Sequence, residues 1–500
     1  MTQTIELPIW LLVIVGLLAA WVVLERLLVP GVRWFFRRRV NAVISEINRR
    51  THLRIPTFSL TKRRVLIDRL VYDPELLETV RHHCEETGKP WEVALDEIER
   101  YAREIIPAFN AWIYFRWGTE FSRRLVQRLY RVRLARGTQR ALQQDLPANT
   151  SIVFVINHRS NMDYVLIAYL AQRFTALSYA VGEWARVWPL RPLVRAMGGY
   201  FVRRHSSSPL YRRVLERYVQ MAVANGVVQA VFPEGGLTRD GAFRDPRYGL
   251  IDYMVRAHDP NGPRDILFVP VAINYDRVIE DRSLLADPAR RRRRRSALSA
   301  ALGTLIILGR SLRRRWRGRF YRMGYAAASF GQPVSLNEWC REQDLDPRHL
   351  RRSRRLVYTR RFTRFLMDEV GQVMPVLPVP VLATILLSEP GRAWDREELQ
   401  RRYAEIIDRL DERAPRAFIP RRRPVYAVQA GLRMLRVRQL IQAEANGFRI
   451  TPGEEPVLGF YANSLRHLLL ADGAENGVEA PCRTAATALA AGETQDTRRR

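Results

Sequence analysis

The spacing of hydrophobic positions changes along this chain, and the change predicts two kinds of architecture. Residues 40–148 have mainly helical spacing, with a helix start at Asp73–Pro74 and a break at Gly88–Lys89–Pro90. From residue 150, short apolar runs alternate with stretches of helical period such as 209–225. The runs are SIVFVI, ALSYAV, VVQAVF and ILFVPVAI. This alternation predicts an α/β fold, a mixed sheet flanked by helices, between helical N-terminal and C-terminal regions.

The first apolar stretch has a different character from the rest. Residues 7–24 are eighteen uncharged and mostly apolar residues, long enough to cross a bilayer as a helix. Glu6 is the only charged side chain before this run, whereas arginines follow it from Arg26 to Arg39. The positive-inside rule therefore predicts an N-terminal membrane anchor with the remaining chain in the cytoplasm. A buried or interfacial helix is the alternative.

These changes in pattern predict five segments. The anchor and its basic flank occupy residues 1–39, and a helical N-terminal domain occupies 40–148. The α/β domain follows at 149–338, and a helical C-terminal region at 339–470. The last segment, 471–500, is rich in Ala, Gly, Thr and Arg without any period, which predicts a disordered tail.

Charge narrows the range of partners. The chain has 82 Lys and Arg against 51 Asp and Glu, a formal net charge of +31, which favours a polyanionic partner. Six consecutive arginines at 290–295 and a second cluster around Trp316 are typical of a segment at an anionic lipid surface, with a solvated loop as the alternative. The aromatic residues form no interleaved nucleic-acid motif, so no nucleic acid is expected.

Cysteine usage gives no sign of a metal or a disulfide framework. The three cysteines, Cys84, Cys340 and Cys482, are odd in number and far apart. No CxxC pair is present to hold zinc. We expect a reducing compartment, no metal and no cofactor.

Candidate chemistry begins at INHRSNMDY, residues 156–164, which follows the first apolar run of the α/β region. A histidine at a strand end, oriented by a carboxylate on the next helix, is a competent general base for deprotonating a hydroxyl. His158 and Asp163 have four residues between them, but so do His467 and Asp472 in RHLLLAD. The spacing alone therefore does not identify the functional pair.

Three further blocks follow the first pair in order. They are GGYFVRR at 198–204, FPEGGLTRDG at 232–241 and FVPVAINYDRVIE at 268–280. This series resembles the membrane-bound bacterial glycerol-3-phosphate acyltransferases, within the wider glycerolipid acyltransferase superfamily that has a His-X4-Asp motif. The resemblance continues through SFGQPVSL at 329–336 to FYANSLRHLLL at 460–470.

The resemblance implies roles for individual residues. His158 becomes the general base and Asp163 its orienting partner. The residues implied to bind the acceptor are Arg203, Arg204, Glu234, Gly235 and Gly236, and Arg239 is a further candidate that follows the glycine pair. A guanidinium fork suits a phosphate dianion, and a glycine pair lets the backbone approach a ligand closely. For the glycines and for Pro270, turn geometry is the alternative.

The chain departs from the family pattern at two positions. Asn161 stands where the family usually repeats a histidine within the first block, and Leu237 stands where an arginine usually follows Gly–Gly. The first change leaves His158 and Asp163 in place. The second removes one phosphate contact and weakens the assignment of the acceptor.

The implied reaction moves a fatty acyl group from acyl-CoA or acyl-carrier protein to glycerol 3-phosphate, at the bacterial inner membrane. Anionic membrane lipids are expected as a further partner. No GxSxG elbow is present for a serine intermediate, so we expect direct transfer. An alternative is a lysophosphatidate or other lysolipid acyltransferase. A remote alternative is a non-catalytic protein that binds a membrane surface or nucleic acid.

Overall fold

The computed structural model describes residue 16 and residues 56–134, 149–171, 176–182, 185–186, 190–203, 206, 208–286, 322–413 and 423–470. The expected anchor at 7–24, apart from residue 16, and the arginine clusters at 290–295 and around Trp316 lie outside these ranges, as does the expected tail. No helix within the described ranges is both long enough and apolar enough to cross a bilayer.

The centre of the protein is the mixed sheet that the apolar runs predict. Its strands are β1 (Arg131–Leu134), β2 (Thr150–Ile156), β3 (Ser178–Val181), β4 (Gly199–Phe201), β5 (Gln229–Val231), β6 (Asp265–Tyr275), β7 (Tyr325–Phe330) and β8 (Val334–Ser335). They lie in the order β1-β7-β6-β2-β5-β3-β4, and β8 pairs with β6. The predicted α/β class, with its mixed sheet flanked by helices, is confirmed.

Strand direction places the polar blocks at one edge of this sheet. Strands β2, β3, β4, β5 and β6 are mutually parallel, whereas β7 runs antiparallel to β6. Every residue of β6 after Asp265 is buried, as expected for a strand covered on both faces. The carboxyl ends of the parallel strands therefore meet at one edge, where ligands bind in open α/β sheets.

Helices come both before β2 in the chain and between the later strands of the sheet. Those before β2 are Thr57–Leu60, Arg63–Val71, Pro74–Thr87, Trp91–Ile105 and Thr119–Leu129, with a π-helix at Ile113–Gly118. Those between β2 and β7 are Met162–Ala171, Leu190–Ala196, Pro209–Ala224, Gly249–Arg256 and Asp281–Leu285. The predicted helix at 209–225 thus corresponds to Pro209–Ala224.

The C-terminal region adds more helices, of which the first two, Leu336–Glu342 and Arg352–Gln372, pack against β6. The helices of this region are Leu336–Glu342, Arg352–Gln372, Pro378–Ser388, Arg396–Arg413, Pro424–Val437, Glu455–Ala462 and Arg466–Leu470. Helix Pro378–Ser388 is almost wholly buried and begins with its prolines in the first turn, where their missing amides cost nothing. A hairpin of β9 (Ile441–Glu444) and β10 (Gly447–Ile450) interrupts the helices.

Two elements differ from the sequence-based expectation. Strand β1 lies in the stretch expected to be helical and pairs in parallel with β7. The β9–β10 hairpin lies in the C-terminal region, which was also expected to be helical. Each of these three strands is four residues long, too short for a two-residue period to stand out from the neighbouring helices.

Candidate active site

The four polar blocks meet where the parallel strands end. His158 follows β2, Arg203 follows β4, Glu234 follows β5 and Asp276 follows β6. These blocks are far apart in sequence. Glu234 lies 76 residues after His158, and Glu280 lies 120 residues after Ser160. The sheet brings the blocks together because the four residues named first each lie within three residues of the carboxyl end of a buried parallel strand.

His158 and Asp163 form a buried pair. The imidazole Nδ1 lies 2.9 Å from Asp163 Oδ2, and the two residues are 2% and 0% exposed. Asp163 lies in the first turn of helix Met162–Ala171, so the helix fixes its position. Because Nδ1 is committed to the carboxylate, Nε2 is the ring nitrogen left for a substrate. The ring packs on Phe232 and Tyr164, with centroids 4.5 and 5.3 Å away.

The Asp163 carboxylate is held by more than the histidine. Its Oδ2 also accepts the backbone amides of Arg159 at 2.7 Å and Ser160 at 3.0 Å. Its Oδ1 accepts the Tyr275 hydroxyl at 2.7 Å. Four donors therefore converge on one buried carboxylate, which fixes its orientation toward the imidazole.

A cavity of about 280 Å³ opens beside His158. The residues that line it are His158, Tyr164, Ala180, Val181, Gly182, Val202, Arg203, Ser206, Tyr211, Arg212, Leu215, Phe232, Gly235, Gly236, Arg247, Gly249, Leu250 and Tyr253. Three arginines and no acidic side chain occur among these described lining residues. The cavity is therefore suited to a ligand with both an anionic and an apolar part.

Arg203 lines this cavity but already has a carboxylate partner. Its Nε and Nη2 donate to the two oxygens of Glu104 at 3.0 and 2.6 Å. Its guanidinium also lies 5.1 Å from the Tyr211 ring centroid and 5.4 Å from that of Tyr101. Glu104 accepts Arg186 as well, at 2.6 Å. An incoming phosphate would have to share Arg203 with this carboxylate.

Glu234 has different contacts from those the resemblance implied. Both of its oxygens accept backbone amides, that of His158 at 2.8 Å and that of Arg244 at 3.2 Å. Burial raises the pKa of this carboxyl to about 7, against the opposing effect of the two amides. Glu234 is 2% exposed and is not among the lining residues, so its contact with an acceptor remains a prediction.

The glycine pair does line the cavity. Gly235 has a φ of +65°, and a Cβ there would lie 2.7 Å from Arg247 Cδ. Glycine is therefore favoured at this position for both conformation and space. Residues 235 and 236 both border the cavity, and their contact with an acceptor stays a prediction.

The remaining predicted residues have separate outcomes. Arg239 is exposed and does not line the cavity, while Arg204 lies outside the described residues. Arg212 and Arg247 line the cavity but were not predicted. They fall outside all four blocks, so no motif identified them.

The second histidine–aspartate pair gives no comparable site. His467 Nε2 bonds the Gly371 carbonyl at 3.0 Å, and its ring packs on Phe243 at 4.8 Å. Asp472 lies outside the described residues. No group of three or more His, Cys, Asp or Glu side chains that could hold a metal occurs within the described ranges.

Comparison with known proteins finds two regions of similarity. Residues 139–274 match the acyltransferase family model, and residues 310–474 match that of the glycerol-3-phosphate acyltransferase C-terminal region. The first region contains the His158–Asp163 pair, and the second contains most of the C-terminal helices. The chain is therefore similar to acyltransferases in these two regions.

Curated relatives of the chain are named glycerol-3-phosphate acyltransferases. A glycerol-3-phosphate acyltransferase of Aeromonas hydrophila is 26% identical over 371 residues, which are 72% of this chain and 44% of the relative. One of Pseudomonas aeruginosa is 26% identical over 389 residues, 73% of this chain and 43% of the relative. The chain thus spans less than half the length of these relatives.

Among solved structures, a 1-acyl-sn-glycerophosphate acyltransferase from Thermotoga maritima is similar to part of the chain. The match has a TM-score of 0.30 and 17% identity, and covers 51% of this chain and 78% of that one.

Proposed function

We propose that the protein transfers a fatty acyl group from a thioester donor to a hydroxyl of glycerol 3-phosphate, with His158 as general base. The observation that carries the proposal is the buried Nδ1–Oδ2 contact between His158 and Asp163 beside a cavity lined by arginines. The names of the curated relatives support the acceptor.

In the proposed reaction, Asp163 keeps the proton of His158 on Nδ1, so Nε2 accepts the proton of the acceptor hydroxyl. The hydroxyl oxygen then attacks the thioester carbonyl carbon. Collapse of the tetrahedral intermediate breaks the carbon–sulfur bond, and the imidazolium returns its proton to the departing thiolate. Asp163 stabilises the imidazolium while it exists. No acyl-enzyme forms.

Phosphate binding is proposed for Arg203, with Arg204, which the resemblance implies, and with Arg239, which lies two residues after Leu237. Arg212 and Arg247 are added because both line the cavity. The backbone of Gly235 and Gly236 and the Glu234 carboxylate are proposed to contact the glycerol part of the acceptor. A guanidinium is well suited to a phosphate because it offers paired donors.

The donor is proposed to be acyl-CoA or acyl-carrier protein. Both are acidic, and the chain has a net charge of +31. The proposed catalytic unit comprises residues 149–338 together with β1, because β1 pairs with β7 of that unit.

Membrane association is part of the proposal, at the bacterial inner membrane with the catalytic unit in the cytoplasm. Residues 7–24 are the proposed anchor. Two exposed aromatics add a second membrane contact, Trp117 at 62% and Phe121 at 59% exposure. Exposed arginines at 116, 124 and 128 are close to them in sequence, a combination suited to anionic lipids such as phosphatidylglycerol.

The acceptor assay tests the proposal. Purified protein is given one acyl thioester with labelled glycerol 3-phosphate or labelled lysophosphatidate, in parallel. Acylation of glycerol 3-phosphate is expected, and it should be absent in His158→Ala. Acylation of the lysolipid alone would replace the proposed acceptor, and acylation of neither would reject the reaction.

A further inference from the structure

The segment that ends β6 lies directly against the loop that carries His158. The Asn157 side chain joins this segment first, since it donates to the Ile273 carbonyl at 3.0 Å and accepts the Ile273 amide at 2.7 Å. Two polar side chains beyond that point, Tyr275 and Glu280, then contact residues 160–163.

Tyr275 contacts the acidic partner of the histidine. Its hydroxyl donates to Asp163 Oδ1 at 2.7 Å, on the oxygen that His158 does not use. Tyr275 is 1% exposed. Burial and the Asp163 carboxylate raise the pKa of this hydroxyl well above its ordinary range, so it keeps its proton and remains a donor. Removal of this donor would leave Oδ1 buried with one partner fewer.

Glu280 contacts the middle of the same loop. Its Oε2 accepts the Ser160 hydroxyl at 2.7 Å, and its Oε1 accepts the Asn161 side-chain amide at 3.1 Å and backbone amide at 3.3 Å. Ser160 Oγ in turn accepts the Met162 amide at 3.1 Å. Glu280 therefore bonds the loop at the point where it turns into the helix that holds Asp163.

We propose that Tyr275 and Glu280 are positioning residues that hold the His158–Asp163 pair in register for proton transfer. The proposal rests on the proposed function of that pair. Neither side chain is among the described residues that line the cavity, so each acts through the loop and not on substrate. The role also accounts for Asn161, because a side-chain donor at this position completes the contact with Glu280.

The first test replaces only the tyrosine hydroxyl. Tyr275→Phe is expected to lower kcat by about 10- to 100-fold, the range for loss of a buried hydrogen bond to a charged group, with little change in KM for either substrate. With one donor fewer, Asp163 holds the imidazolium more strongly, so the acidic limb of the kcat/KM profile should move to higher pH. Tyr403→Phe is the control, since Tyr403 is buried and its hydroxyl has no hydrogen-bond partner in the described structure.

The second test asks whether Glu280 acts through Asn161. Glu280→Ala and Asn161→Ala should each lower kcat, and the double variant should be no worse than Glu280→Ala, since Glu280→Ala already removes the contact that Asn161→Ala would lose. Glu280→Gln keeps an acceptor oxygen and should recover most of the activity. Glu398→Gln, which changes an acidic side chain paired with Arg392, is the control. Independent effects of the two alanine changes would overturn the coupling.

A measurement without substrate separates this proposal from the proposed function. The Nδ1 proton of His158 should give a low-field NMR resonance, identified by its absence in His158→Ala. Tyr275→Phe and Glu280→Ala are expected to shift or broaden it, whereas Tyr403→Phe and Glu398→Gln should not. An unshifted resonance in both test variants would overturn the positioning roles. If the wild-type protein were inactive in the acceptor assay but both test variants shifted the resonance, only the proposed reaction would be overturned.

Discussion

The backbone amide of His158 donates to Glu234 Oε1 at 2.8 Å, so the acidic residue of the third block holds the backbone of the first. Its other oxygen accepts the Arg244 amide, in the loop beyond the glycine pair. Glu234 thus connects the ends of β2 and β5 at the point where His158 meets the cavity. An interaction of this kind makes the loop geometry dependent on the protonation of one carboxyl group.

Stability should therefore depend on pH through Glu234. Its pKa is raised from 4.5 to about 7, so between these values the unfolded chain loses a proton that the folded chain keeps. The free energy of unfolding should fall as pH rises across this window, by up to about 3 kcal/mol, and level off above it. Glu234→Gln should reduce this slope, while Asp276 and Glu280, whose pKa values are also raised by burial, keep their share of it. Denaturant unfolding from pH 5 to pH 8 measures it, and equal slopes in both proteins would contradict the prediction.

Replacement of each candidate histidine should have very different effects. His158→Ala is expected to lower kcat by about 100- to 10,000-fold, the contribution typical of a general base, while the protein remains folded. His467→Ala should keep kcat within about threefold, because His467 bonds the Gly371 carbonyl and does not line the cavity. Steady-state rates with circular dichroism as the folding control decide the matter. Comparable losses would mean that the base is misassigned.

Much of the sheet could be predicted because its strands are continuous apolar runs. Strands β2, β3, β5 and β6 are buried on both faces, and such strands contrast with the helical spacing around them. Strand β1 was missed because its sequence RVRL, with an exposed and half-buried alternation, resembles the end of the preceding helix. The block order identified the pair His158–Asp163, which spacing alone did not.

Contacts between distant segments could not be predicted. Glu104 and Arg203 are 99 residues apart, and nothing in either segment indicates that they pair. The same holds for the Arg212 and Arg247 side chains at the cavity. A motif identifies residues that share one chemistry, whereas these positions depend on how separate helices pack around the sheet.

The Arg203–Glu104 pair leads to a test of phosphate binding. Arg203→Ala should raise the KM for glycerol 3-phosphate more than the KM for the acyl donor. Glu104→Gln should lower the acceptor KM, because it removes the carboxylate that competes with phosphate for this guanidinium. Initial rates with each substrate varied in turn provide both constants. An effect of Arg203→Ala on the donor KM alone would count against the phosphate role.

The C-terminal region contacts the candidate active site through Gly241. Gly241 has a φ of +88°, and a Cβ added to it would lie 1.8 Å from the Phe460 carbonyl oxygen. Arg159, next to His158, donates to the Gly241 carbonyl at 2.8 Å. Gly241→Ala should therefore cost about 3 kcal/mol or more and lower kcat. Gly453→Ala is the matched control: its φ is +83° but nothing lies within 4 Å, so only the backbone conformation is penalised, by about 1–2 kcal/mol. Equal losses in unfolding experiments would show that the contact is unimportant.

Vesicle binding should separate the two proposed membrane contacts. A variant without residues 1–39 is expected to keep salt-sensitive binding to phosphatidylglycerol vesicles, because Trp117 and Phe121 remain exposed on consecutive turns beside arginines. Trp117→Ser with Phe121→Ser in that variant should weaken binding by about tenfold or more. Val357→Ser with Val425→Ser is the control, since these side chains are also exposed, at 67% and 60%. Sedimentation with vesicles measures the bound fraction, and an equal loss in both double variants would mean that general surface hydrophobicity, and not this aromatic face, binds the lipid.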